Sequence, residues 1–297
     1  MSAKVQVTYR SVNAAVPQRG RDELAPPRWA LDLAEESGDD FLLVTARVAD
    51  AVALMPPVLM ARVREAYDSI AARIHGAAAR HPVRLWNHIP SIHAPMDEGR
   101  DRYMVFNAGR YEAFSNWYGG PATFGRDVAT ASGVGHDGRD LVIHCLSARE
   151  PGVAVANPRQ IAPHHYSTKY GPLPPCFARA TVLTAARRVL VGGTASIRGE
   201  DTLHLTSLPL QISETLENLA SVVESAYAGR ATARSREQWL RLYRDVRVYY
   251  PQAADRETLE SAAREAFGPA CRVEMRRADL CRAELLVEIE GVAEYAA

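Results

Sequence analysis

The feature that most limits the fold is a rhythm of apolar patterns that the chain runs through twice. In the first pass FLLVTARV (41–48) reads as a strand. Pro56–Pro57 then opens a helical stretch in which Leu59, Val63, Tyr67, Ile70 and Ile74 recur every three or four residues, marking one buried face. RLWNHIPSI (84–92) follows as a short strand, DRYMVFNAGRYEAFSNWYG (101–119) as a helix and LVIHCLSA (141–148) as a closing strand. The second pass begins with FARATVL and RRVLVGGTASI as a strand pair. A helix over SETLENLASVVESAYA (213–228) then carries Leu216, Leu219, Val223 and Ala226 on one face, with Ser213 as its candidate cap. VRVYY (246–250) reads as a strand, DRETLESAAREAFG as a helix ending at Gly268, and RVEM and ELLVEIEG as the last strands.

Both passes therefore read strand, long helix, strand, helix, strand, although residue identity between them is poor, so the repetition is one of architecture. Amphipathic helices bury their stripes most simply against a mixed sheet. The expectation is an α+β chain of two similar domains, 1–150 and 151–297. The tract through about residue 35 is polar and proline-punctuated, with VQVTY able to form one strand. The proline-rich segment between His144 and Pro175 reads as a linker or a large loop.

Thirty-five basic side chains balance thirty-five acidic ones, so no global field favours nucleic acid or an anionic membrane. No run approaches the roughly 18 apolar residues of a membrane span, and MSAKVQVTYRS lacks the apolar core of a signal peptide. Cys145, Cys176, Cys271 and Cys281 lack zinc-ligand spacing. A cytoplasmic protein with reduced thiols fits these readings. Every basic residue except Lys4 and Lys169 is an arginine, whose planar fork suits carboxylate ligands.

In LLVEIEG the strand period puts Glu288 and Glu290 on one face and Leu285, Val287 and Ile289 on the other. That face either lines solvent or holds a carboxylate that moves a proton. His88, His93, His164 and His165 are scattered and form no HExxH-type chelate, so packing or loop hydrogen bonds are favoured over metal. Gly192 and Gly193 lack the spacing of a nucleotide fingerprint, and fit either tight strand packing or close approach of backbone to a ligand. Met104, Phe106, Tyr111, Phe114 and Trp117 have the spacing of a helix core.

The second half resembles the RidA/YjgF-like (chorismate mutase-like) fold, a sheet backed by two helices and ending in a VEIE-type strand. Six motifs taken together narrow this. RLWNHIPSI, GRDRYMVFNAGRYEAF (99–114), SAREPG (147–152), NPRQIAPHHYSTKYGP (157–172), GGTASIRG (192–199) and CRAELLVEIEG (281–291) resemble the chorismatase family from about residue 40 to 291. The resemblance implies two RidA/YjgF-like domains and hydrolysis of the enolpyruvyl ether of chorismate, releasing pyruvate without metal, nucleotide or redox cofactor. It implies Glu288 as general acid, and Cys281 is similar to a residue of the 3-hydroxybenzoate-forming subtype; a dihydroxycyclohexadiene carboxylate or 4-hydroxybenzoate are the other products of the family. Arg159 is the expected carboxylate clamp, with a loop ion pair as its other role. Tyr170 would donate to the substrate or pack under its loop, Gln160 would add a contact, and Arg149 or Arg179 would meet the second carboxylate. Gly193 and Ala195 would leave space for the ring. Other readings are an imine hydrolase and a non-catalytic metabolite-binding protein, and the chain could act as a monomer or a RidA-like trimer.

Overall fold

A computed structural model describes residues 4–10, 24–36, 38–97, 99–229 and 233–296. Most of the polar tract, at 11–23, lies outside the described residues. In the first half β1 (Val5–Arg10), α1 (Arg28–Glu36), β2 (Phe41–Val48), α2 (Pro56–His75), β3 (His81–Pro90), α3 (Arg102–Tyr118), β4 (Thr130–His136) and β5 (Leu141–Ala148) follow in order. Their sheet runs β1-β2-β5-β3-β4, antiparallel except where β3 meets β4.

The second half begins with β6 (Val153–Val155), β7 (Ala180–Leu183), β8 (Arg188–Ala195) and α4 (Leu208–Ala226). It continues with β9 (Tyr243–Tyr250), α5 (Arg256–Phe267), β10 (Arg272–Arg277) and β11 (Glu288–Glu294). This sheet runs β10-β9-β11-β8-β7-β6, antiparallel except where β9 meets β10. Strands β7 to β11 thus take the places that β1 to β5 take in the first sheet, with β6 added at the edge. In each half the second of the two helices, α3 or α5, makes the long crossover that a parallel pair requires.

Periodicity explains the packing. The α2 stripe, Leu59 to Ile74, is buried with Val44 and Ala46 of β2 and Phe106 and Phe114 of α3. In the other half Leu216, Leu219, Val223 and Ala226 meet Val246, Val248 and Phe267. Gly109 lets α3 lie close on α2, since a Cβ there would come 2.5 Å from the Met60 carbonyl oxygen. Gly268 ends α5 at φ 82°, as its position predicts.

Two boundaries differ from expectation. Pro209 in its first turn starts α4 at Leu208, so Ser213 lies inside the helix and caps nothing. The last strand begins only at Glu288; Leu285 and Val287 are buried in the irregular segment leading to it. Strand β4, TASGVGH, carries no apolar pattern, and its small residues serve contact between the halves. Thr130 Oγ1 lies 2.8 Å from Thr181 Oγ1, and a Cβ on Gly192 would come 3.0 Å from the Ala131 carbonyl oxygen. Elsewhere in the junction Trp29 of α1 packs edge-on against Trp86 of β3, in a cluster that includes Leu190 and Val292. Among the described residues no helix is long and apolar enough to cross a membrane.

Candidate active site

A cavity of about 390 Å³ opens where the sheets meet. Ala131, Ser132 and Gly133 of β4 form one wall, and Gly193, Ala195 and Glu288 of β8 and β11 form the other. The proline-rich segment holds the end of β5, then β6, then a loop that contributes Tyr166 and Tyr170, with Phe177 just beyond it, while Cys281 and Arg282 enter just ahead of β11. Tyr103 and Met104, from the start of α3, also line the space, so the RYMVF stretch serves the cavity as well as the core.

Glu288 is 4% exposed, which removes the solvated-face reading of its strand. Its side chain lies against bare backbone: a Cβ on Gly193 would sit 2.0 Å from Glu288 Oε1. Burial, and next the charge of Glu290, push its carboxyl up to about 8, against the opposing pull of Arg84 and Arg179. At neutral pH the group therefore holds its proton inside a cavity, the state a general acid needs. Cys281 Sγ is 3.9 Å from Glu288 Oε2. Burial raises that thiol to about 12, so it is a neutral thiol and not a thiolate nucleophile.

The walls are cationic. Arg110, Arg179 and Arg282 are 1%, 6% and 9% exposed, and none forms an ion pair with a carboxylate among the described residues. Arg179 donates to the Ile161 carbonyl and the Tyr166 hydroxyl, and its Nε has no partner. Arg282 lies 3.9 Å over the Tyr170 ring and donates to Thr202 Oγ1. Arg110 donates to Asn107, its Nε likewise unpartnered. Buried guanidinium groups without counter-charges are costly, and an anionic ligand in the cavity would supply the missing charge.

The structure brings together Glu288, Cys281, Tyr170, Arg179, Gly193 and Ala195. It does not bring Arg159, Gln160 or Arg149 to the cavity lining. Arg159 is held by Glu214 at 2.6 Å and Asn218 at 2.7 Å, both from α4, so the loop ion pair is its role here. Gln160 donates to the Ile197 carbonyl, and Arg149 pairs with Asp40 on the surface. Tyr170 spends its hydroxyl proton on the Glu200 carbonyl, and its ring, with Arg282 over it, lines the cavity. Gly193 makes room for Glu288 and for β4, a closer approach than one to ligand alone. His93 lines the cavity, whereas His88 is buried in the sheet. Among the described residues no three His, Cys, Asp or Glu side chains converge as metal ligands.

Sequence reasoning passed over Arg282, Arg110 and Ser132. Arg282 adjoins Cys281 within CRAELLVEIEG, and Arg110 lies in the quoted GRYEAF stretch, so the motifs contained both without ranking them. Glu290 was visible but unassigned. It is fully buried and hydrogen-bonded across the junction.

Fold and cavity together define an α+β protein with a cationic, carboxyl-bearing site shared by two mixed sheets. Residues 28–147 match the family model described as Chorismatase FkbO/Hyg5-like, N-terminal. A chorismatase of Streptomyces rapamycinicus is 31% identical over 281 residues, 91% of this chain and 83% of that one. A 3-hydroxybenzoate synthase of Streptomyces hygroscopicus is 36% identical over 216 residues, which span 70% of this chain and 62% of the relative. The crystal structure of a chorismatase aligns with a TM-score of 0.75 at 26% identity, covering 86% of this chain and 75% of that one. The chain belongs to the chorismatase family.

Proposed function

We propose that the protein cleaves the enolpyruvyl ether of chorismate to pyruvate and 3-hydroxybenzoate, in a cavity shared by two RidA/YjgF-like domains at 1–150 and 151–297. The observation that carries this reading is a buried Glu288 carboxyl, its proton affinity raised by that burial, facing a cavity walled by arginines that form no ion pair among the described residues. Chorismate brings two carboxylates and an enol ether, so it supplies the missing negative charge and a carbon that accepts a proton. Arg179 and Arg282 are the carboxylate contacts, Arg110 adds positive potential, and the Tyr170 ring borders the site.

Glu288 transfers its proton to the terminal methylene, leaving an oxocarbenium-like carbon. Water adds to that carbon, its lost proton restores Glu288, and the hemiketal collapses with cleavage of its bond to the ether oxygen, giving pyruvate. If a ring hydroxyl adds instead, the cyclic ketal breaks one ring C–O bond and the other ketal C–O bond, so that a former ring oxygen becomes the ketone oxygen of pyruvate. When water is the nucleophile, one water is consumed here and one is returned as the ring aromatises. The sum is chorismate to pyruvate and hydroxybenzoate, balanced without a redox partner. Cys281, beside the acid, lies where it can bear on the ring product, and the likeness to a 3-hydroxybenzoate synthase favours that product over the diene or the 4-isomer.

The test is incubation of the purified protein with chorismate, with pyruvate assayed and ring products resolved by chromatography. Pyruvate with 3-hydroxybenzoate is expected; pyruvate with another ring acid would overturn the product, and no pyruvate above background would overturn the reaction. Glu288→Gln should lower turnover at least about 100-fold while leaving chorismate affinity within a few-fold. A binding protein would show no turnover to lose.

A further inference from the structure

Two residues beyond Glu288, Glu290 is fully buried at the junction of the sheets and accepts from four donors. Arg84 Nη2 reaches it at 2.6 Å, Trp86 Nε1 at 3.0 Å and the Tyr249 hydroxyl at 3.0 Å, and Ser132 Oγ is the fourth. Three of these come from the first half and one from the second. Two donors converge on each of its oxygens, so the protein itself fills the hydrogen-bonding capacity of the carboxylate. We infer that Glu290 is a positioning residue for Glu288: held by four donors at the junction, it fixes through Ser132 the Gly193 backbone against which the acid lies, and it presents its carboxylate to the same strand face as the acid. The inference rests on the acid role proposed above for Glu288.

Two routes lead from Glu290 to Glu288. Along β11 the two side chains share a face, so the charge of one opposes ionisation of the other. Through the junction, Ser132 Oγ donates to Glu290 and accepts from the Gly193 amide at 2.9 Å, pinning the backbone that Glu288 Oε1 touches. The other groups that bear on Glu288 are Arg84 and Arg179, which favour its ionised form, and the Cys281 thiol. Tyr103, also on the cavity, is held as a neutral phenol by burial. Of the charges that bear on Glu288, that of Glu290 is the largest opposing its ionisation, against the two guanidinium groups.

The experiment is a pH titration of the Glu288 carboxyl by 13C NMR in protein labelled at the glutamate side-chain carboxyl. The signal is assigned by its loss in Glu288→Gln. In Glu290→Gln the proton affinity of Glu288 should fall at least tenfold, and the alkaline limb of turnover should move to lower pH by the same factor. Tyr249→Phe removes one donor but keeps the charge, and should leave the midpoint in place. If Glu290→Gln does not fold, the pair Arg84→Gln/Glu290→Gln removes both buried charges, and the affinity should fall at least threefold. An unmoved midpoint in either folded variant overturns the inference, as does a loss of turnover equal at all pH values. The NMR readout needs no substrate, so failure of the chorismate reading would appear separately, as absent pyruvate with the Glu288 titration intact.

Discussion

Glu288 is raised from 4.5 to about 8 by burial first and by Glu290 second, and this has consequences for rate and for stability. With Glu288 as the proposed general acid, turnover at saturating chorismate should be level just below neutrality and fall as pH rises through about 8. A pH–rate profile checks this, and an activity that rises through that range would contradict an acid role. For stability the sign is reversed from that of a salt-bridged carboxylate. Between pH 4.5 and about 8 the folded protein binds a proton that the unfolded chain releases, so this group lowers stability as pH rises through that window. Glu288→Gln should therefore be more stable than the parent at neutral pH, on the order of a few kcal/mol, with the gain vanishing near pH 4.5. Thermal unfolding at several pH values reads it directly. The place of Glu288 on the cavity was expected from the motif resemblance, because the strand period alone fits a solvated face equally well. The ion pair of Arg159 could not be read locally, because its partners, Glu214 and Asn218, arrive from a helix more than fifty residues away. Arg282 has no periodic signature; its place depends on the Tyr170 ring it covers.

The elements that were readable are those whose pattern is set by one face. The stripes of α2 and α4 predicted buried faces, and those residues are buried. Strand β4 was missed because its surroundings, not its own side chains, make it a strand. A Cβ on Gly133 would sit 3.1 Å from the Tyr103 ring, and one on Gly135 would sit 2.6 Å from Ile92. Such a run of small residues has no period to read. The same closeness governs β8, where adding a methyl group at Gly193 would drive it into the Glu288 carboxyl. Gly193→Ala should cut pyruvate release at least about tenfold by turning that carboxyl away, while costing about 1–3 kcal/mol of stability. Kinetics and thermal unfolding on one preparation separate the two effects. Retained activity would mean that Glu288 works equally well from another rotamer.

At the level of the whole molecule the repeated rhythm made the architecture legible, and the junction was not. Arg84 and Glu290 are 206 residues apart in the chain, and no local pattern links an arginine in one strand to a glutamate in another. Arg84→Met would leave the Glu290 charge buried without its cation, and should cost about 3–5 kcal/mol. Because this pair and the Trp29–Trp86 cluster tie the halves together, both should unfold in one transition. Far-UV circular dichroism and tryptophan fluorescence should superpose during urea unfolding; separated midpoints would show the halves letting go independently. The placing of the cavity has one more effect. Its β4 wall and its β8 and β11 wall belong to a single polypeptide, so no second molecule has to be met before those walls face each other. Serial dilution should then leave the specific activity unchanged down to the detection limit of the assay.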